Sequence, residues 1–214
     1  MSIQAIDHAV KEWKVDILSM SFGWPTCDFD GYEELEAAID NANTHKVLMF
    51  AAASNSGGRQ GRAYPARNPH VVSIHSTDTY GTMSTFSPTA SMDEMNLATV
   101  GESIKSAWPS VLCDENSNPS CVASRSGTSY ATPIAAGIAA FLMQYARVHL
   151  TPKEALALKR RDRMMALLKR IAQRGANYQP RDGYYYIELS RHGDNLFGKQ
   201  KEYVDMVMCD VLRG

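Results

Sequence analysis

Val47-Leu48-Met49-Phe50-Ala51-Ala52-Ala53 is a run of seven residues without a polar side chain. An unbroken apolar run of this length reads as a strand covered on both faces, the habit of a parallel sheet. Working outward, Leu35, Ala38, Ile39 and Ala42 recur at helical spacing just before it. Before them, Asp16-Ile17-Leu18-Ser19-Met20-Ser21 reads as a second buried strand, closed by the turn residues Gly23 and Pro25. Ile3, Ile6, Val10 and Trp13 predict an amphipathic helix that ends before Val15. Helix, strand, helix, strand in alternation implies parallel strands joined by crossover helices, an α/β architecture.

The rest of the chain continues the pattern. Val71 to Ile74 and Leu97 to Val100 are further strands. Ile134, Ile138, Phe141, Leu142 and Tyr145 mark a helix whose intervening small residues allow close packing. Thr151-Pro152-Lys153-Glu154 is a helix start, with Thr as N-cap, Pro in the first position and Glu closing a capping box. That helix is expected to run to about Arg174. Its basic residues outnumber Glu154 and Asp162 and read as a solvated face beside an apolar stripe of Leu156, Met164, Leu167, Leu168 and Ile171. Tyr184 to Leu189 reads as one more strand. The tail beyond Asn177 is expected to pack on the core, without assigned chemistry.

The 214 residues suffice for one domain with a substantial core. With 44% hydrophobic and 21% charged residues and a net charge of −1, the composition is that of a globular protein. Nothing in it indicates a nucleic-acid or membrane partner, and the N-terminus shows no signal peptide. Cys27, Cys113, Cys121 and Cys209 form no C-x-x-C pair, and no histidine sits at zinc-ligand spacing, so no metal or other cofactor is expected. Cys113 and Cys121 bracket a polar loop and could be bridged; reduced thiols are the favoured reading. Location stays open, with intracellular favoured over secreted.

Chemistry concentrates in Ser126-Gly127-Thr128-Ser129-Tyr130-Ala131-Thr132-Pro133. A serine projecting from a tight turn at a helix start has exposed amides and the helix dipole beside it, which favour developing negative charge. Gly127 permits close backbone approach, and Pro133 suits a first helical turn. Gly-Thr-Ser alone also reads as a plain turn and cap. The octapeptide, however, resembles the nucleophile motif of subtilisin-like serine proteases, G-T-S-x-A-[ST]-P. Other segments follow that family's order. Asp16 to Gly23 resembles its substrate-lining strand, and Ala51-Ala52-Ala53-Ser54-Asn55-Ser56-Gly57 resembles its A-A-A-G-N-x-G segment. Tyr64-Pro65-Ala66 and the strand at Val71 come next.

The resemblance implies a three-layer, doubly wound, mostly parallel sheet with helices on both faces and the family's N-terminal part missing. Residues 1–150 would be the C-terminal part of the peptidase domain, and 151–214 a tail packed on it. Ser129 would be the nucleophile, with Asn55 and the Ser129 N–H as oxyanion donors. Ser21, Phe22 and Gly23 would hold the substrate main chain as an added strand. Ala53, Ser54 and Thr128 would border the site. Ser54 stands where the family has Gly, and Trp24 where a small residue is common, so the pocket wall and the cleft floor are expected to differ. A peptide or protein is the implied substrate.

A serine hydroxyl needs a base, and the family orders its triad Asp, His, Ser. Its D-[ST]-G and H-G-T motifs do not occur here. None of His8, His45, His70, His75, His149 and His192 is followed by Gly-Thr; His70 and His75 flank a strand and read as surface or capping residues. The expectation is a fragment, or a degenerate relative, that needs a separate segment carrying Asp and His and is inert alone. Two competitors remain. An α/β-hydrolase would use Asp182 and His192 after the serine, and a non-catalytic shell would only bind peptides or a partner.

Overall fold

A computed structural model describes residues 2–58, 60–92, 94–113, 118, 120–173, 182–190 and 193–213. Arg174, Asn177 and His192, each named above, lie outside them. The elements in chain order are α1 (Ser2–Lys11), β1 (Ile17–Met20), α2 (Tyr32–Thr44), β2 (Leu48–Ala52), β3 (Val71–Thr77), β4 (Asn96–Val100), β5 (Ile104–Ala107), β6 (Val122–Arg125), α3 (Thr128–His149), α4 (Pro152–Ala157), α5 (Arg161–Ala172), β7 (Tyr184–Tyr186) and α6 (Lys201–Arg213). Five strands form one sheet in the order β1-β2-β3-β4-β7, every neighbour parallel. β5 and β6 make a separate antiparallel pair.

The sheet is covered on both faces, which is why β2 and β3 carry only buried residues. On one face, Met20, Met49, Ala51 and Val71 pack with Ile6, Leu35 and Ile39 of α1 and α2. On the other, Leu48, Phe50, Val72, Ile74 and Leu97 meet the alanine-rich side of α3. Ala131, Ala135 and Ala139 let this 22-residue helix lie directly against β1 to β4. Phe50 is fully buried there, so Phe50→Ala would cost roughly 3–5 kcal/mol. The three-layer α/β arrangement expected from the sequence is the one observed.

The region after α3 differs from expectation. The capping box is present: Glu154 N–H donates to Thr151 Oγ1 (3.3 Å), and Thr151 N–H donates to Glu154 Oε2 (3.1 Å). The Thr151 hydroxyl also donates to Glu154 Oε2 (2.8 Å), and this bond together with that of the Thr151 N–H holds the Glu154 carboxyl down at about 2. The helix does not continue to Arg174, however. It stops at Ala157 and restarts at Arg161, with Arg160 extended between them. No glycine or proline marks this break. Leu158 turns fully into the core and Lys159 reaches Asp16 (2.5 Å), so tertiary contacts override three good helix formers, Leu158, Lys159 and Arg160. Leu156, expected in the apolar stripe, is exposed, whereas Met164, Leu167, Leu168 and Ile171 are buried.

β7 is three residues long and extends the sheet beside β4, and α6 packs on α5 and α4. Cys113 and Cys121, expected as thiols, are disulfide-bonded, with Cα atoms 5.6 Å apart. Among the described residues no helix is long and apolar enough to cross a membrane.

Candidate functional site

The expected site residues meet at the carboxyl ends of β1 and β2, where ligands bind in open α/β sheets. Ser21, Phe22 and Gly23 follow β1, Ser54 and Asn55 follow β2, and Thr128 and Ser129 open α3. All seven line one cavity of about 190 Å³, together with Pro25, Ala52, Ser56 and Ala63.

Asn55 is held by its carbonyl. Its Oδ1 accepts from the Thr128 N–H (2.8 Å) and from Thr128 Oγ1 (3.0 Å). A backbone N–H can only donate, so the atom facing it is the oxygen and the amide orientation is fixed by chemistry. The Asn55 Nδ2 donor is left without a protein partner among the described residues, on an exposed side chain. Gly127 makes this approach possible: a Cβ there would sit 3.2 Å from Asn55 Nδ2. The Ser129 N–H belongs to the first turn of α3, where amides have no intrahelical acceptor. Two free donors thus border the half-buried Ser129.

Pro133 explains how β1 is tied to α3. It lies inside the helix rather than in its first turn, and it has no N–H for the Ser129 carbonyl four residues back. Ser21 Oγ supplies that bond instead (2.8 Å). Ser129 Oγ donates in return to the Ser21 carbonyl at 3.4 Å, a long contact. This is the only hydrogen bond of the Ser129 hydroxyl among the described residues. The Ser21 side chain therefore braces the helix start, leaving its backbone toward the cleft.

Three expectations need correction. Ala53 does not line the cavity; it is fully buried, with its N–H on the Ile74 carbonyl (3.0 Å) and its carbonyl on the Ala63 N–H (2.7 Å). The Ala53 carbonyl pulls in Ala63, a lining residue that sequence reasoning missed and that has no distinctive chemistry. Trp24 is not on the cleft floor. It stacks on Phe29 with ring centroids 4.2 Å apart and exchanges backbone bonds with Tyr64 (2.8 and 2.9 Å). Gly23 is required beside it, since a Cβ there would be 2.8 Å from the Tyr64 carbonyl. Finally, His75 lies within β3 and is fully buried, not on the surface. Thr128 lines the cavity but is also fully buried, acting on Asn55.

Ser54 adopts φ +152°, a conformation that favours glycine. Its Oγ accepts from the Ser56 N–H (3.2 Å). None of the described histidines lines the cavity. His70 pairs with Asp40 (3.6 Å), and His149 packs against Tyr145. Among the described residues no group of three His, Cys, Asp or Glu could hold a metal ion.

Comparison with known proteins gives the same family on independent grounds. A sequence model of the subtilase family, peptidase S8, matches residues 1–186. The thermostable alkaline protease of Halalkalibacterium halodurans is 34% identical over 139 residues, covering 65% of this chain and 34% of that protein. The major intracellular serine protease of Bacillus subtilis is 33% identical over 147 residues, covering 67% of this chain and 41% of that protein. Among solved structures, the protease domain of PatA superposes with a TM-score of 0.64 at 27% identity, covering 87% of this chain and 61% of that one. The chain spans less than half the length of the curated relatives it matches. It belongs to the subtilase family of serine proteases.

Proposed function

We propose that this chain supplies the nucleophile and oxyanion half of a serine endopeptidase site and becomes active only with a segment that supplies Asp and His. The observation that carries it is the Asn55 amide, clamped through Oδ1 by Thr128 so that Nδ2 stays free beside Ser129. Ser129 Oγ attacks the scissile carbonyl while its proton passes to the His of the second segment, which returns it to the leaving amine as the peptide bond breaks. Asn55 Nδ2 and the Ser129 N–H receive the charge that develops on its oxygen. The backbone of Ser21 to Gly23 pairs with the substrate main chain as an added strand, with little sequence preference. The cavity between Ser54, Ala52 and Ala63 takes the residue before the scissile bond, and its modest volume favours a small side chain. With no described histidine at the cavity, the Ser129 hydroxyl of the chain alone keeps its proton and its weak contact to Ser21.

A fluorophosphonate probe, which labels activated serines, tests this reading. The isolated chain should not label. Mixing or fusing it with a subtilase segment that carries Asp and His should restore labelling at Ser129, and Ser129→Ala should abolish it. Stoichiometric labelling of Ser129 in the isolated chain would overturn the dependence on a second segment. Absence of labelling after complementation would favour a shell that binds peptides without cleaving them. With complementation achieved, Asn55→Leu should lower turnover roughly 10²–10³-fold, the magnitude of the corresponding loss in a subtilisin.

A further inference from the structure

A second cavity, of about 500 Å³, opens at the amino ends of β3 and β4, at the opposite end of the sheet from Ser129. We propose that it binds a small phosphomonoester, with the phosphate on Arg161 and the Ser73 hydroxyl and the organic part against Met95 and Met165.

The charge balance comes first. Arg62, Arg67 and Arg161 line the cavity beside Glu94 and Asp162. Both acids are already engaged: Glu94 pairs with Arg62 (2.6 Å), and Asp162 with Arg160 (2.9 Å) and Arg163 (3.7 Å). Arg161 Nε donates only to the Val71 carbonyl (3.3 Å), and Arg67 to the Pro25 carbonyl (2.6 Å). Among the described residues neither Arg161 nor Arg67 makes a direct ion pair with a carboxylate, and Arg161 is the half-buried one of the two. Burial pushes Arg161 below its ordinary value; the nearby Glu94 and Asp162 carboxylates offset only part of that, and the Arg62 charge adds to it. An anion would correct that, and a guanidinium suits phosphate oxygens in paired hydrogen bonds.

The second observation is independent of charge. Ser73 lies inside β3 with only 7% of its surface exposed, lines the cavity, and its Oγ has no hydrogen-bond partner among the described residues. A buried hydroxyl left unpaired costs roughly 1–3 kcal/mol, and a ligand oxygen beside it removes that cost. Arg161 is also the first residue of α5, a 12-residue helix whose N-terminal dipole adds positive potential, part of which Asp162 in the same turn offsets.

Volume and lining decide between a bare ion and an ester. Four oxygens at about 30 Å³ each occupy on the order of 120 Å³, a fraction of the cavity. The remainder is bordered by Val71, Met95 and Met165, and methionine adapts readily to an aromatic or aliphatic group. A ligand of small-molecule size fits this volume.

Calorimetric titration of the 214-residue chain with phenyl phosphate, inorganic phosphate and phenol tests the site. Phenyl phosphate should bind at one per chain, inorganic phosphate several-fold more weakly, and phenol not at all. Arg161→Gln should weaken phenyl phosphate at least tenfold, Arg161→Lys less, and Ser73→Ala about fivefold. Ser129→Ala should bind like the parent, which separates this site from the protease reading. Ser73→Ala removes only an unpaired hydroxyl and keeps the fold, so it decides the matter even if Arg161→Gln misfolds. Absence of saturable binding, or parental affinity in Ser73→Ala and Arg161→Lys alike, would overturn the proposal. Equal affinity for phosphate and phenyl phosphate would overturn the ester.

Discussion

At the scale of single residues, two side chains sit where their chemistry is at odds with their surroundings. Ser54 holds φ +152° at the cavity wall. A non-glycine residue in such a conformation costs roughly 1–3 kcal/mol, and glycine relieves it. Ser54→Gly should therefore be more stable than Ser54→Ala by about 1–2 kcal/mol in urea denaturation. It should also widen the pocket; equal stability of the two variants would mean that the backbone is unstrained. His75 is the second case. Among the described residues neither ring nitrogen has a hydrogen-bond partner within bonding geometry, and the nearby Pro88 carbonyl accepts from the Tyr184 hydroxyl instead (2.5 Å). Burial, with Arg62 nearby, pushes its pKa down to about 3. Between that value and the ordinary 6.5, the unfolded chain binds a proton that the folded chain refuses. Stability is thus complete above pH 6.5 and falls as the pH drops toward 3. His75→Phe keeps the edge-to-face contact with Tyr184 and should flatten the slope of melting temperature between pH 6.5 and 4.5. It should also gain about 1–3 kcal/mol at pH 7 by removing unpaired polar atoms. An unchanged slope would mean that His75 is hydrogen-bonded in solution.

At the scale of elements, the contact between the end of β1 and the start of α3 is where proline chemistry becomes site geometry. Pro133 leaves the Ser129 carbonyl without its helical donor, and Ser21 Oγ takes the place. Ser21→Ala should cost about 1 kcal/mol, the usual net value of one such bond. With the site complemented, it should also slow turnover by loosening the nucleophile turn. In a Pro133→Ala background the backbone N–H of residue 133 can bond the carbonyl itself, so the cost of Ser21→Ala should shrink toward zero. A double-mutant cycle in guanidinium reads this coupling directly, and additivity of the two substitutions would refute the exchange of donors. The octapeptide announced the turn and the helix in the sequence. The Ser21 brace was not legible there, because 108 positions separate the partners and serine at the end of a strand has many uses.

At the scale of the molecule, the sheet is unevenly protected. β2, β3 and β4 have a partner on each side, whereas β1 lies at the edge, where Ile17 and Leu18 are half-buried and Ser19 is exposed. An uncovered edge strand offers a row of backbone donors and acceptors to any extended chain. The chain should therefore self-associate in light scattering after size exclusion, and Ser19→Lys should reduce that association. A complementing segment that carries Asp and His should suppress it too, by occupying the same edge. A monodisperse monomer at high concentration, unaffected by either, would show that the edge is closed in solution.

By itself the sequence determined the alternating α/β architecture, which rests on local signals: the apolar run at Val47–Ala53 and the helical spacing in α2 and α3 each restrict the backbone within a few residues. Most of the residues that line the cavity at Ser129 came instead from the ordered resemblance to subtilisin-like motifs. The tertiary structure alone decided the matters that depend on distant partners. It split the helix after Ala157 so that Leu158 could enter the core and Lys159 reach Asp16. It turned Trp24 onto Phe29 and away from the cleft, and it turned Ala53 inward, bringing Ala63 to the site. It also enclosed His75 and Ser73 in β3, two polar residues at alternate positions in a strand buried on both faces. Alternation of residues says that the two share a face, but only the packed neighbours decide whether that face holds water, protein or a ligand.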